Sequence, residues 1–222
     1  MTWGTLKEAT IWLSVSKEID NLESSLHTVV KSKRNAKIWL SLSQRLVYLI
    51  KKNIHDKHVY KATLGIVRYL RCLFFWSCQR WEELEEEVNK GIEEDKSSAI
   101  YLMIKGFVYL QPLLNRSHIS NLWPDDFPFD KKNSLFGYAK KCFNQATKKA
   151  MPNQNAILVA IEWSLAWMCA YNNDNKGVSK HVEQAWKKDG FTLGAGWHLW
   201  ICWLGALISD AEHLILVNSV KN

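Results

Sequence analysis

Proline is scarce in this 222-residue chain: four residues, Pro112, Pro124, Pro128 and Pro152, all within one stretch. Ten glycines are also few for the length. Proline removes a backbone donor and blocks helix interiors, so its absence elsewhere permits long helices, and the expected fold class is all-α. The five cysteines (Cys72, Cys78, Cys142, Cys169 and Cys202) are odd in number and include no C-x-x-C pair. That pattern indicates neither a disulfide framework nor a zinc ribbon, and fits a reducing compartment.

Motifs of common chemistries are missing as well. There is no G-x-x-x-x-G-K-[ST] phosphate loop, no G-x-S-x-G nucleophile elbow and no H-E-x-x-H metal pair. Asp125, Asp126 and Asp130 lack the spacing of a calcium loop. His55 and His58 in "HDKH" have no second ligand pair and are expected in a surface turn between helices. No catalytic residue, cofactor or metal is therefore assigned. The first twenty residues lack the basic-then-apolar order of a secretory signal, which outweighs the single sequon Asn115-Arg116-Ser117, and the expected location is cytoplasmic.

What is present is apolar, aromatic and basic. The 47% apolar content is ample for a core, and twelve Trp each need a wide apolar socket and a partner for the indole N–H. The formal charge of +7 is uneven. "RWEELEEEVNKGIEEDK", Arg80 to Lys96, holds eight acids against three bases and leaves the rest of the chain near +12. Such a balance suits attraction of RNA, an anionic membrane face or acidic protein tails, and equally a well-solvated lysine surface. Lys141 and Lys148, seven apart, share one helix face on which phosphate contact is conceivable.

Apolar spacing predicts about ten helices. Three fall between Thr5 and Asn53, one over His58 to Ser77, and an amphipathic one with an acidic outer face over Trp81 to Glu94. Ser97 or Ser98 caps the helix "AIYLMIKGFVYLQPLL", which should lose regularity at Pro112. The segment 115–134, with two Pro and many turn formers, reads as a loop insertion. "GFTLGAGWHLWICWLGALISD", Gly190 to Asp210, has bilayer length and no charge before Asp210. Its glycines, His198 and mid-span Trp make a membrane anchor the lesser reading and a buried helix the better one.

Small residues within the apolar helices recur. Gly65 and Gly106 are 41 apart, Ala166 and Gly205 are 39 apart, and the 60 between Gly106 and Ala166 becomes about 40 without the insertion. "YAKKCFNQATKKAMPN" sets Ala139, Phe143 and Ala146 before Pro152, and "AIYLMIKGFVYL" sets Gly106 before Tyr109. This pair resembles the tetratricopeptide repeat, with Lys105 in place of the family's Leu and a period longer than the family's usual length. Leu165-Ala166 with Val178, Val182 and Ala185 forms a second pair, Leu64-Gly65 with Ser77, Trp81 and Leu84 a third, and Leu204-Gly205 begins a fourth.

The resemblance implies antiparallel helix pairs stacked as a right-handed solenoid: one domain over 1–222, with N-terminal helices at 1–56 and repeats at 57–222. It implies a groove lined by Met103, Phe107, Leu110 and Gln111 of one repeat and Trp163, Trp167 and Tyr171 of the next. The expected function is a non-catalytic interaction scaffold or adaptor that grips a protein or peptide with an acidic flank. An RNA-binding repeat and the regulatory tail of a larger signalling enzyme are the alternatives. The apolar C-terminal helices also point to homo-oligomer formation through them.

Overall fold

The computed structural model describes residues 6–29, 33–117 and 129–189, together with Gly196 and Trp200. These residues form eight α-helices and no strand, so the all-α expectation holds for them. The chain divides into two compact units, Met1–Lys96 and Ser97–Asn222.

The first unit contains α1 (Leu6–Val29), α2 (Lys33–Asn53), α3 (Lys57–Ser77) and α4 (Trp81–Glu94). Two long helices occupy the stretch expected to hold three, because polar Ser14, Ser16 and Lys17 sit on turns that Val15, Ile19 and Leu22 anchor in the core. Trp39 joins three helices. Its indole N–H donates to the Leu22 carbonyl of α1 at 3.0 Å, and its ring stacks on Phe74 of α3 with centroids 4.7 Å apart.

Asp56 caps α3 by accepting the backbone N–H groups of His58 and Val59, each at 2.9 Å. The Val59 bond is the main reason its carboxyl sits below the ordinary aspartate value. The "HDKH" turn is thus a helix cap, and no group of three His, Cys, Asp or Glu among the described residues is placed to hold a metal. Gln79 takes a left-handed backbone, φ 55°, to reverse the chain between α3 and α4. Contacts from Trp76 to Trp81 at the turn, and from Lys61 to Asp95 at the far end, make that pair antiparallel.

The second unit contains α5 (Ala99–Ser117), α6 (Phe129–Lys149), α7 (Asn155–Tyr171) and α8 (Asn175–Asp189). Helix covers 115–117 and 129–134 of the expected 115–134 insertion, and 118–128 lie outside the described residues. A proline inside a helix deletes one backbone bond, here to the Val108 carbonyl, and α5 continues past Pro112 to Ser117. At the other end α6 begins at Phe129, directly after Pro128.

In the α5/α6 pair, Gly106 meets Phe143, and Tyr109 meets Tyr138 with centroids 5.4 Å apart, so the two helices run antiparallel. Any Cβ at Gly106 would lie 2.3 Å from the Phe143 ring. The glycine is required there by contact rather than by backbone conformation. Ala139 and Ala146 flank Phe143 on α6 and are fully buried.

α7 is apolar on nearly every side and is buried accordingly. Phe136 of α6 packs edge-on against Trp167 and Tyr171, and Gly196 comes so close to Val159 that a Cβ would lie 2.2 Å from it. A three-residue turn with Asn173 at φ 57° leads into α8.

No helix among the described residues is long and apolar enough to cross a membrane. The reading of 190–210 as a buried repeat helix rather than an anchor, the marker Leu204-Gly205 and the proposed C-terminal contact lie outside the described residues, apart from buried Gly196 and Trp200.

Gly106→Ala is expected to lower stability by about 1–2 kcal/mol in spite of alanine's better helix propensity. In a urea-unfolding double-mutant cycle, Phe143→Leu should recover part of that loss. Additive costs would contradict the close contact.

Candidate functional site

Met103, Phe107, Leu110, Trp163 and Trp167 have at most 2% of their surface exposed, while Gln111 and Tyr171 are half-buried. The structure brings Trp167 and Tyr171 together, with ring centroids 5.3 Å apart. Phe107 packs against Phe143, and Trp163 against Trp200. As placed, these side chains fill the core of the second unit, and the five buried ones present no face to a ligand.

Charge is buried in the first unit. Glu87 of α4 is 3% exposed at its side chain and lies between two guanidiniums of α3. Arg68 Nη1 donates to Glu87 Oε1 at 2.6 Å, and Arg71 Nη2 donates to Oε2 at 3.1 Å. Arg71 Nε is 2.9 Å from Oε1 as an ion pair, without hydrogen-bond geometry. Arg71 Nη1 also donates to Ser43 Oγ of α2 at 2.8 Å.

Arg68 turns its remaining donors on Glu94 through Nε and Nη2, and Lys51 of α2 closes the chain on Glu94 at 2.8 Å. Burial pushes the Glu94 carboxyl up, but the Arg68 and Lys51 bonds outweigh it and hold the group below the ordinary glutamate value. Beside this cluster, burial and the Glu87 charge raise the Cys72 thiol, so it is an inert core residue. Apart from Arg71 Nε, the guanidinium nitrogens donate inward to a carboxylate or hydroxyl, which makes the cluster an internal brace.

The second unit has a smaller charged group between α7 and α8. His181 Nδ1 lies 2.8 Å from Glu162 Oε2, and Lys188 donates to Oε1 at 3.2 Å. A carboxylate only accepts, so Nδ1 carries the proton. Burial pushes the Glu162 carboxyl up, yet the His181 bond and the Lys188 charge prevail and hold it low.

Nearby, a cleft of about 300 Å³ is lined by Phe136, Lys140, Met168, Cys169, Asp174 and His181, among others. Burial and the Asp174 carboxylate raise the Cys169 thiol, which is the wrong direction for a nucleophile. Lys141 and Lys148 are exposed on α6 as their spacing suggests.

A surface with large exposed apolar side chains, and with bases unpaired among the described residues, lies on the first unit. α2 carries Lys33, Arg34, Lys37, Arg45, Lys51 and Lys52 and no acid. Its inner face buries Trp39, Ser43, Leu46, Val47 and Ile50. Its outer face is also apolar in part: Ile38 is 52% exposed, Leu42 45% and Tyr48 59%.

Leu42 and Leu49, seven apart, form one row, and Ile38, Arg45 and Lys52, also seven apart, form the next. The first row borders a groove of about 170 Å³ against Ser14, Glu18 and Leu22 of α1. Among the described residues Arg34, Lys37 and Arg45 have no acidic partner, whereas Lys51 pairs with Glu94. The helical spacing of Ile38, Leu42, Leu46 and Leu49 does not by itself distinguish the buried Leu46 from the exposed Ile38 and Leu42. The available signal was a helix with apolar residues on more than one face and bases of a single sign.

Comparison with known proteins returned no matching family model, no matching curated protein and no matching solved structure.

Glu87→Gln should destabilise the protein by roughly 3–5 kcal/mol, because two buried guanidiniums lose their shared anion. Chemical denaturation measures this, and a cost below about 1 kcal/mol would contradict the brace. Glu162→Gln should cost about 1 kcal/mol at neutral pH. The folded pKa of Glu162 is lowered, so this contribution is complete above the ordinary value of 4.5 and fades as pH falls through the folded value. Wild-type and Glu162→Gln melting curves should therefore converge in acid; a constant gap would remove the ion pair as the cause.

Proposed function

We propose that the chain is a helical interaction module of tetratricopeptide-repeat type, an adaptor that binds a protein partner and carries out no reaction of its own. The antiparallel pairing of α3 with α4, α5 with α6 and α7 with α8 supports the repeat reading. The burial of Ala139, Phe143 and Ala146 on α6 and the approach of Gly106 on α5 to Phe143 fit the residues that carry the resemblance. Contacts of α7 with both α5 and α6 fit stacking of the last two pairs. A right-handed solenoid is the arrangement these pairs would extend into.

The observation that carries the function is the outer face of α2. Large apolar side chains at about half exposure, adjacent in helical rows and bordering a groove, are the usual mark of a surface that meets another chain. Partner binding is accordingly assigned to α1 and α2 rather than to Met103, Phe107, Leu110, Trp163 and Trp167, whose burial gives them a packing role.

Ile38→Asp combined with Leu42→Asp tests this reading. Both side chains are substantially exposed, so circular dichroism and the melting temperature should change little. Affinity capture from cell extract should lose its principal retained protein when the double variant replaces the wild type. The same proteins retained in equal amounts by both folded forms would reject the assignment.

A further inference from the structure

Resting on that interaction role, we infer that the α1–α2 groove receives an amphipathic helix of about three turns whose acidic edge lies along α2. Three features of the face select this occupant. The first is length. Ile38 to Leu49 spans eleven positions of one helix, about 16 Å at 1.5 Å per residue. Apolar anchors spaced i, i+4 and i+11 match the rows of another helix better than they match an extended strand.

The second feature is charge on the α2 side. Arg45 and Lys52 continue the Ile38 row at seven-residue intervals, with Arg34 one turn before it and Lys37 beside it. None of Arg34, Lys37 and Arg45 is paired with an acid among the described residues. Carboxylates spaced along one edge of a ligand helix would meet these cations in turn, as electrostatic complementarity requires.

The third feature is the opposite rim. There α1 presents Ser14 and Glu18 to the same groove. An anionic bilayer or a nucleic-acid backbone offers negative charge on both sides and would meet Glu18 with repulsion. A peptide helix carries acids on one edge and neutral or basic residues on the other, and so satisfies both rims. The asymmetry selects a peptide over the two polyanions.

The test is a fluorescence-anisotropy titration of the intact chain with labelled designed helices. One peptide carries Leu at the matching spacing and Glu along one edge. A second replaces the Glu by Lys, and a third keeps the composition of the first with the Leu positions scrambled. The first should bind at least about tenfold more tightly than either of the others, and its binding should weaken as salt is added.

Arg45→Glu with Lys52→Glu, which alters only exposed positions, should invert the preference toward the lysine peptide. Equal affinity for the glutamate and lysine peptides overturns the inference. So does binding to phosphatidylserine vesicles or to a single-stranded RNA oligonucleotide in preference to the glutamate peptide. If Ile38→Asp/Leu42→Asp abolishes capture of the cellular partner while the glutamate peptide shows no advantage, the occupant is wrong and the interaction role stands. If neither effect is seen, both fall.

Discussion

The first unit is organised around one carboxylate. Glu87 is buried with two arginines, and desolvating three charges is tolerable only because nearly every donor finds an acceptor: Glu87 itself, Glu94 and the Ser43 hydroxyl. Those acceptors sit on α2 and α4, so the network fixes both helices against α3. Ser43 must face inward to meet Arg71, and Trp39, four residues earlier, must face inward to stack on Phe74. With these two side chains committed, the rotation of α2 about its axis is settled. Ile38, Leu42 and Arg45 then have only the outer side and the α1 groove available.

Shape rather than charge organises the second unit. Phe143 needs the absence of a side chain at Gly106, and Val159 needs the same at Gly196. The first contact draws α5 and α6 closer than ordinary side chains allow, and neither leaves slack for a substituted methyl group. α7, apolar all round, is the element that such close packing can enclose. Its exceptions, Glu162 and Ser164, are satisfied by His181 with Lys188 and by the Ala160 carbonyl respectively.

Helix positions were largely legible in the sequence because their signals are local. The acidic helix Trp81–Glu94 was read to the residue from its four-residue apolar spacing. Boundaries set by weak signals were less accurate. Serines in α1 imitated a break, and Pro112 and Pro128 imitated a longer loop than the helices leave. The candidate site was not legible. Periodicity reports that Met103, Phe107, Trp163 and Trp167 share helical faces, but it does not say whether a face meets a ligand or another helix, and here it meets another helix. The charge brace escaped for a related reason: Glu87 belongs to a helix read as having an acidic outer face, and only the antiparallel register of α3 and α4 brings it to Arg68 and Arg71.

The same register explains why α2 tolerates its composition. A helix with six bases and no acid repels itself, and among the described residues the acid that relieves it is Glu94, paired with Lys51. Inward, the helix gains full burial of Trp39 and Ile50; outward, it leaves Ile38, Leu42 and Tyr48 half in water at a cost that scales with their apolar area. Both unfavourable terms, unrelieved positive charge and uncovered apolar surface, lie on the same side of one helix. A single ligand helix with an acidic edge removes them together, and by mass action any such ligand also stabilises the folded first unit. Because Ser43 and Lys51 belong to α2 and also to the brace, docking on the outer face is coupled to the integrity of the Glu87 network beneath it.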